Sequence, residues 1–180
     1  MKKIIIVLIG FILNFNISYS EEMIKIGIIL GFTGSVETLT PAMADSIELA
    51  FKEISDGENY NTGKNFKLIR ADSTCENLDK ATDAARNLIK KNVSVLIGGA
   101  CPNISKTIAL NVLIPNNIIM ISPVDSNFKL SKEQEKKIFF TSVPLNERKA
   151  EILSEITKSR GVKNVAIAYA NNEYDKEFSL

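Results

Sequence analysis

Histidine and tryptophan are absent from the 180 residues, and cysteine occurs only twice. Without histidine the chain lacks the commonest general base and metal ligand. Its serines have no partner for the usual hydrolytic triad, and two separated cysteines are too few for a metal cage. Gly27, Gly31 and Gly34 are spaced G-x-x-x-G-x-x-G, which is not the dinucleotide fingerprint, and no G-K-[ST] phosphate loop occurs. Neither sign of charge dominates, with 22 Lys and Arg against 21 Asp and Glu. No basic block is interleaved with aromatics, so nucleic acid is not an expected partner. Asp45, Glu48, Asp79 and Asp83 lie at helix-surface spacings, where solvation is the default. The chain is therefore not expected to be an enzyme, and no cofactor or metal is expected.

A membrane-spanning run is also missing. The apolar stretch at 4–17, broken only by Gly10, Asn14 and Asn16, is shorter than the roughly 20 residues a bilayer requires. Lys2-Lys3 precede it and Ser18-Tyr19-Ser20 end it. That order reads as a secretory signal peptide over residues 1–20, cut before Glu21. No cysteine lies near the cut to carry a lipid. Export makes pairing of Cys75 with Cys101 the favoured state, two free thiols being the alternative.

The pattern centres on residues 66–103. FKLIRAD reads as a strand running into Ser73-Thr74-Cys75, and VSVLIG as a strand running into Gly99-Ala100-Cys101. Between them Leu78, Ala81, Ala85, Leu88 and Ile89 follow a 3.6-residue period and define a helix that lies on a sheet. Strands joined this way are parallel, so both cysteines fall at the carboxyl edge, where open α/β sheets bind ligands. There the pair can staple the rim of a site.

Upstream, MIKIGIIL at 23–30 reads as a strand covered on both faces. A helix follows, with Thr40 as N-cap, Pro41 at its first position, and Ile47, Ala50, Phe51 and Ile54 as the buried stripe. Downstream the pattern predicts a helix at 105–113 stopped by Pro115, then a buried strand at 118–121 and a solvated segment at 129–137. An extended segment at 138–141 comes next, and after it a helix capped by Asn146 and stopped at Gly161. A strand over VAIA, 165–168, completes the alternation. The fold class is α/β with a doubly wound parallel sheet.

These segments resemble the type I periplasmic solute-binding proteins, specifically the branched-chain amino-acid-binding group of ABC importers. The likeness runs from Ile24 to the end through IKIGIILGFTG, ADSTC, VLIGGAC, IIMISP and VAIAYANNEYDKEF. It implies two α/β lobes closing on a small amino acid or related amide, a periplasmic location, a membrane permease as partner, and a monomer. It also implies that Cys75 and Cys101 form the family's rim disulfide. Family members are longer, so the resemblance implies an N-terminal fragment. Lobe one would occupy 21–140 without its return segment, and 141–180 would begin lobe two.

By the same resemblance, Ser126 matches a position whose hydroxyl holds the ligand carboxylate, with the backbone of Val124 contributing. Asp125 departs from the family's small neutral residue, where it would repel an acid or attract an ammonium. Pro102 falls where relatives carry a hydroxyl and offers neither hydroxyl nor N–H. Asn103 is read either as its substitute or as a helix N-cap. Tyr174 matches an aromatic residue at the lobe-two mouth of the cleft, an exposed loop tyrosine being the alternative. Leu39 is read as packing a ligand side chain or as a core contact. A second functional reading is a same-fold extracytoplasmic regulator, such as a cell-wall synthase activator or receptor sensor domain.

Overall fold

In a computed structural model of the chain, residues 22–57, 64–126 and 138–169 are described. The strands are β1 (Glu22–Leu30), β2 (Lys64–Asp72), β3 (Val95–Gly98), β4 (Ile119–Ser122) and β5 (Phe139–Thr141). All pair in parallel, in the spatial order β2-β1-β3-β4-β5. The expected extended segment before Ser142 is thus a strand of the same sheet.

Among the described residues, three helical stretches join β1 through β4 and cover the sheet. α1 (Thr40–Asp56) joins β1 to β2, and α2 (Leu78–Lys90) joins β2 to β3. Between β3 and β4 the chain runs as α3 (Pro102–Ile108), a π-helical turn (Ala109–Leu113) and a last turn, α4 (Ile114–Asn116). Beyond β5 comes α5 (Asn146–Ser159).

Alternation along β1 divides the core. Ile28 and Leu30 pack with Ala44 of α1, Leu68 and Phe32. Ile29, on the opposite face, belongs to the larger cluster with Ala85 and Leu88 of α2, Ile104 and Ile108 of α3, and Met120 of β4. Gly98 can occupy the end of β3 because it has no Cβ: a methyl group there would overlap the carbonyl oxygen of Ile29 on the paired strand.

Several predicted details change for identifiable reasons. Thr40 does not cap α1; the N-cap is Leu39, with no side-chain cap bond. The Thr40 hydroxyl instead donates to the Gly31 carbonyl at 2.7 Å, tying the helix start to the end of β1. The buried face of α1 is Thr40 and Ala44, with Ile47 and Phe51 half-buried, while Ala50 and Ile54 are exposed. Leu78 is likewise exposed at the start of α2.

α3 begins at Pro102 rather than Ser105, since a proline at the first position needs no N–H partner. Pro115 does not stop the helical stretch. The π turn widens the ladder, with the Ile114 N–H reaching Ala109, and accommodates a residue that cannot donate. The stretch ends at Asn117 in a left-handed conformation, with Ile118 N–H returning to Leu113 and Asn117 N–H to Ile114. This double closure recurs at Asn92 after α2 and at Gly161 after α5.

Asn146 is the first residue of α5, not its N-cap. The expected strand at 165–168 does not form among the described residues. Val165 and Ile167 are 63% and 65% exposed, and among the described residues no strand pairs with them. The signal-peptide reading, the solvated segment at 129–137 and Tyr174 fall outside the described residues.

Candidate functional site

Parallel pairing puts the carboxyl ends of all five strands on one edge, and the order reverses between β1 and β3. A crevice outside such a reversal is the standard ligand position in open α/β sheets. Asp72, at the end of β2, organises its first part. Its Oδ1 accepts from the N–H groups of Phe32 (2.9 Å), Thr33 (3.3 Å) and Thr74 (2.9 Å), and its Oδ2 accepts from the Thr33 hydroxyl at 2.6 Å. Burial pushes this carboxyl up, but the Thr33 hydroxyl and the three N–H groups together outweigh it and hold the pKa below the ordinary value.

Thr74 and Cys75 both have positive φ, 56° and 65°. Each is a conformation that costs a non-glycine residue roughly 1–3 kcal/mol and persists where its surroundings enforce it. Asp72 provides one such restraint at the Thr74 N–H. Cys75 provides the other: it is bonded to Cys101 as expected, with Cα atoms 5.6 Å apart. The bridge joins the loops after β2 and β3 across the end of the intervening β1.

The loops after β3 and β4 are fastened by Ser122, which is fully buried. Its hydroxyl donates to the Gly99 carbonyl at 2.7 Å and accepts from the N–H groups of Asp125 (2.7 Å) and Val124 (3.3 Å). Gly99 has φ +79°, and a Cβ there would press on Ser105 and Met120. The residue therefore supplies both the turn and the close approach.

Pro102, Val124 and Asp125, with Ala100, line one cleft of about 300 Å³. Ser126 is fully buried. Its hydroxyl donates to Asn146 Oδ1 at 2.6 Å and lies 3.2 Å from Lys149 Nζ. The Ser126 carbonyl accepts from the Asn146 N–H at 3.2 Å. Asn103 does not join this group. It is exposed and opens on a second cleft of about 520 Å³, between Cys75, Leu78 and the α3–π stretch. Leu39 is 59% exposed at the head of α1.

Asp45 is exposed and Glu48 half-buried, and both are paired rather than merely solvated. Arg70 bonds Asp45 at 2.6 Å and Glu48 at 2.7 Å, and its guanidinium stands over the Phe32 ring. The Arg70 hydrogen bond holds the Glu48 carboxyl below its ordinary value. Asp83 pairs with Arg86 at 3.6 Å.

Asp72, Ser122, Asn146 and Lys149 were not marked as site-building by the sequence. The signal for the first two is local: each is the last residue of a strand and is followed by a loop rich in N–H donors. Among the described residues there is no cluster of three or more potential metal-binding side chains, and no helix is long and apolar enough to cross a membrane.

A family model described as periplasmic binding protein matches residues 23–179. No curated protein matches the chain. Among solved structures, a leucine-binding protein from Thermotoga maritima is 23% identical with a TM-score of 0.70, over 87% of this chain and 43% of that one. An ABC transporter substrate-binding protein from Desulfitobacterium hafniense, in complex with Leu, is 23% identical with a TM-score of 0.75, over 88% and 45%. A solute-binding protein of an ABC transporter from Rhodopseudomonas palustris, in complex with 3,4-dihydroxybenzoic acid, is 17% identical with a TM-score of 0.74, over 87% and 42%. The chain thus spans less than half the length of each. At these identities the likeness is one of fold.

Proposed function

Because the chain belongs to the periplasmic binding protein family, we propose that it provides one wall of an extracytoplasmic solute site serving an ABC importer. The ligand class is a small carboxylate, with branched-chain amino acids first. The observation that carries this reading is the cleft between Pro102, Val124 and Asp125. It opens at the carboxyl edge of a reversed-order sheet and is fixed by the Ser122 hydrogen bonds. The ligands named for the relatives, leucine and 3,4-dihydroxybenzoic acid, share a carboxylate and differ in the rest.

In this reading residues 1–20 direct export, the lobe boundary follows β5, a permease receives the ligand, and the protein is a monomer. A site of this kind derives its affinity from burying the ligand between two surfaces. The described residues offer one of them, and a Kd of about 1 mM, equivalent to about 4 kcal/mol, is the scale the test must reach. Ligand-observed NMR at millimolar concentration tests it with L-leucine, L-isoleucine, 3,4-dihydroxybenzoate and, as a neutral control, D-ribose. Saturation transfer to at least one carboxylate and none to ribose is expected. A cooperatively folded chain that responds to none of the carboxylates would overturn the reading.

A further inference from the structure

We propose that the second cleft, of about 520 Å³ between the Cys75 loop and the α3–π stretch, takes a short, extended oligopeptide with free ends. It shares no lining residue with the cleft at Pro102, Val124 and Asp125, so the inference goes beyond the solute-binding reading. Its volume lies within the range of small-molecule sites, roughly 300–1,000 Å³.

The helical wall of this cleft carries a row of hydrogen-bonding residues, Asn103, Thr107 and Asn111. They recur every four positions, so successive members stand about 6 Å apart along the axis. In an extended chain, peptide groups facing one way recur every second residue, about 6.7 Å apart. The two steps nearly coincide. A side-chain amide presents an acceptor and two donors, so Asn103 and Asn111 can each meet both the N–H and the C=O of a peptide unit. From first to last the row covers about 12 Å, the length of about four extended residues. Asn111 and its neighbour Leu110 come from the π turn, and such turns are frequent at functional sites.

These side chains are available to a ligand. Thr82, Ser105 and Asn116, on the same helical stretches, bond back to helix carbonyls at 2.7, 3.0 and 2.7 Å. Among the described residues Asn103, Thr107 and Asn111 make no such bond. Glu76 and the half-buried Lys106 line the same cleft, and among the described residues neither forms an ion pair. One group of each sign matches a ligand that carries both, as a free-ended peptide does. Leu78 and Leu110, 47% and 43% exposed, offer apolar surface to one of its side chains. Among the described residues no aromatic ring lines the cleft to stack a nucleobase.

Amide-detected NMR titration of the whole chain with the peptide Ala-Leu-Ala-Ala decides it, with the N-acetylated, C-amidated form and L-leucine for comparison. The free tetrapeptide is expected to shift the side-chain amide signals of Asn103 and Asn111. L-Leucine, which has no peptide unit, should leave both in place. Asn103→Ala with Asn111→Ala should weaken the tetrapeptide by about fivefold for each amide lost. Both side chains are exposed, so the circular dichroism spectrum and the urea midpoint should not move. Glu76→Gln with Lys106→Met should weaken the free peptide and leave the capped one unaffected. No shift of the two amide signals would overturn the proposal, as would shifts confined to Ala100, Val124 and Asp125 in the first cleft. Equal affinity for free and capped peptides would overturn it too, in favour of a segment within another protein. The carboxylate titrations at the first cleft are scored separately, so failure here leaves the solute-binding reading in place.

Discussion

Asp72 holds together two loops that the sequence presents as separate. Four donors converge on one carboxylate, and its pKa is lowered because they outweigh the burial that pushes it up. A carboxyl depressed in the folded state contributes stability that is present above its unfolded value, near 3.8. That stability is lost as the pH falls through the lower folded value. Urea unfolding of Asp72→Asn against the wild type is therefore expected to show a deficit at pH 6 that begins to shrink near 3.8 and is gone once the pH has fallen through the lower folded value. A deficit that persists unchanged in acid would mean the charge is not what matters.

Such contacts resist reading from sequence because a side chain chooses among partners that only the fold brings near. Thr40 has the composition of an N-cap, yet Gly31 O is closer to hand once residues 31–39 have turned. Asn146 looked like a cap as well, and it serves Ser126 and Lys149 instead. The residues of the candidate site were partly legible. Pro102 and Val124 share a cleft wall, whereas Asn103 opens elsewhere.

Elements were more legible than contacts where a period repeats. β1, β2 and the α2 helix with its buried Ala81, Ala85 and Leu88 stand close to where apolar spacing put them. Spacing failed in two places. The π turn depends on a proline being absorbed rather than obeyed, and residues 165–168 have strand composition without a paired strand among the described residues. The Cys75–Cys101 bridge was legible because both cysteines follow parallel strands at one edge. It closes a loop of 26 residues, which on the chain-entropy account contributes about 3.5 kcal/mol. Cys75→Ala with Cys101→Ala should lower the stability to urea by about that amount. Thiol titration of the unfolded, unreduced wild type should find no free sulfhydryl. Two free thiols there would remove the bridge from the account.

For the whole molecule, the sheet is covered unevenly. α1 shields β1 on one face, and on that side Ile119 and Ile121 of β4 and Phe140 of β5 remain 43%, 40% and 46% exposed. Met120, between the two isoleucines, is fully buried on the other face. Ile119→Thr with Ile121→Thr is accordingly expected to change stability by less than about 1 kcal/mol. Met120→Ala should cost roughly 2–5 kcal/mol. The threonine pair should also reduce binding of a hydrophobic dye such as ANS, because exposed apolar surface of this kind invites association. A large loss of stability from the isoleucine pair would show that this face is covered after all.

The spatial order β2-β1-β3-β4-β5 also governs how the chain reaches its fold. The first strand in the chain is an interior strand of the sheet, and Ile26 must find Leu68 on one side and Val95 on the other. Neither partner is local, so loop-closure entropy is lost before either ladder repays it, and such topologies fold slowly. During synthesis or passage through a narrow channel, β1 emerges before both partners, with two open hydrogen-bonding edges until β2 arrives and one until β3 does. The interval before Val95 is available is then when this chain is most exposed to pairing with a neighbour, and when a chaperone holding residues 22–30 would matter most.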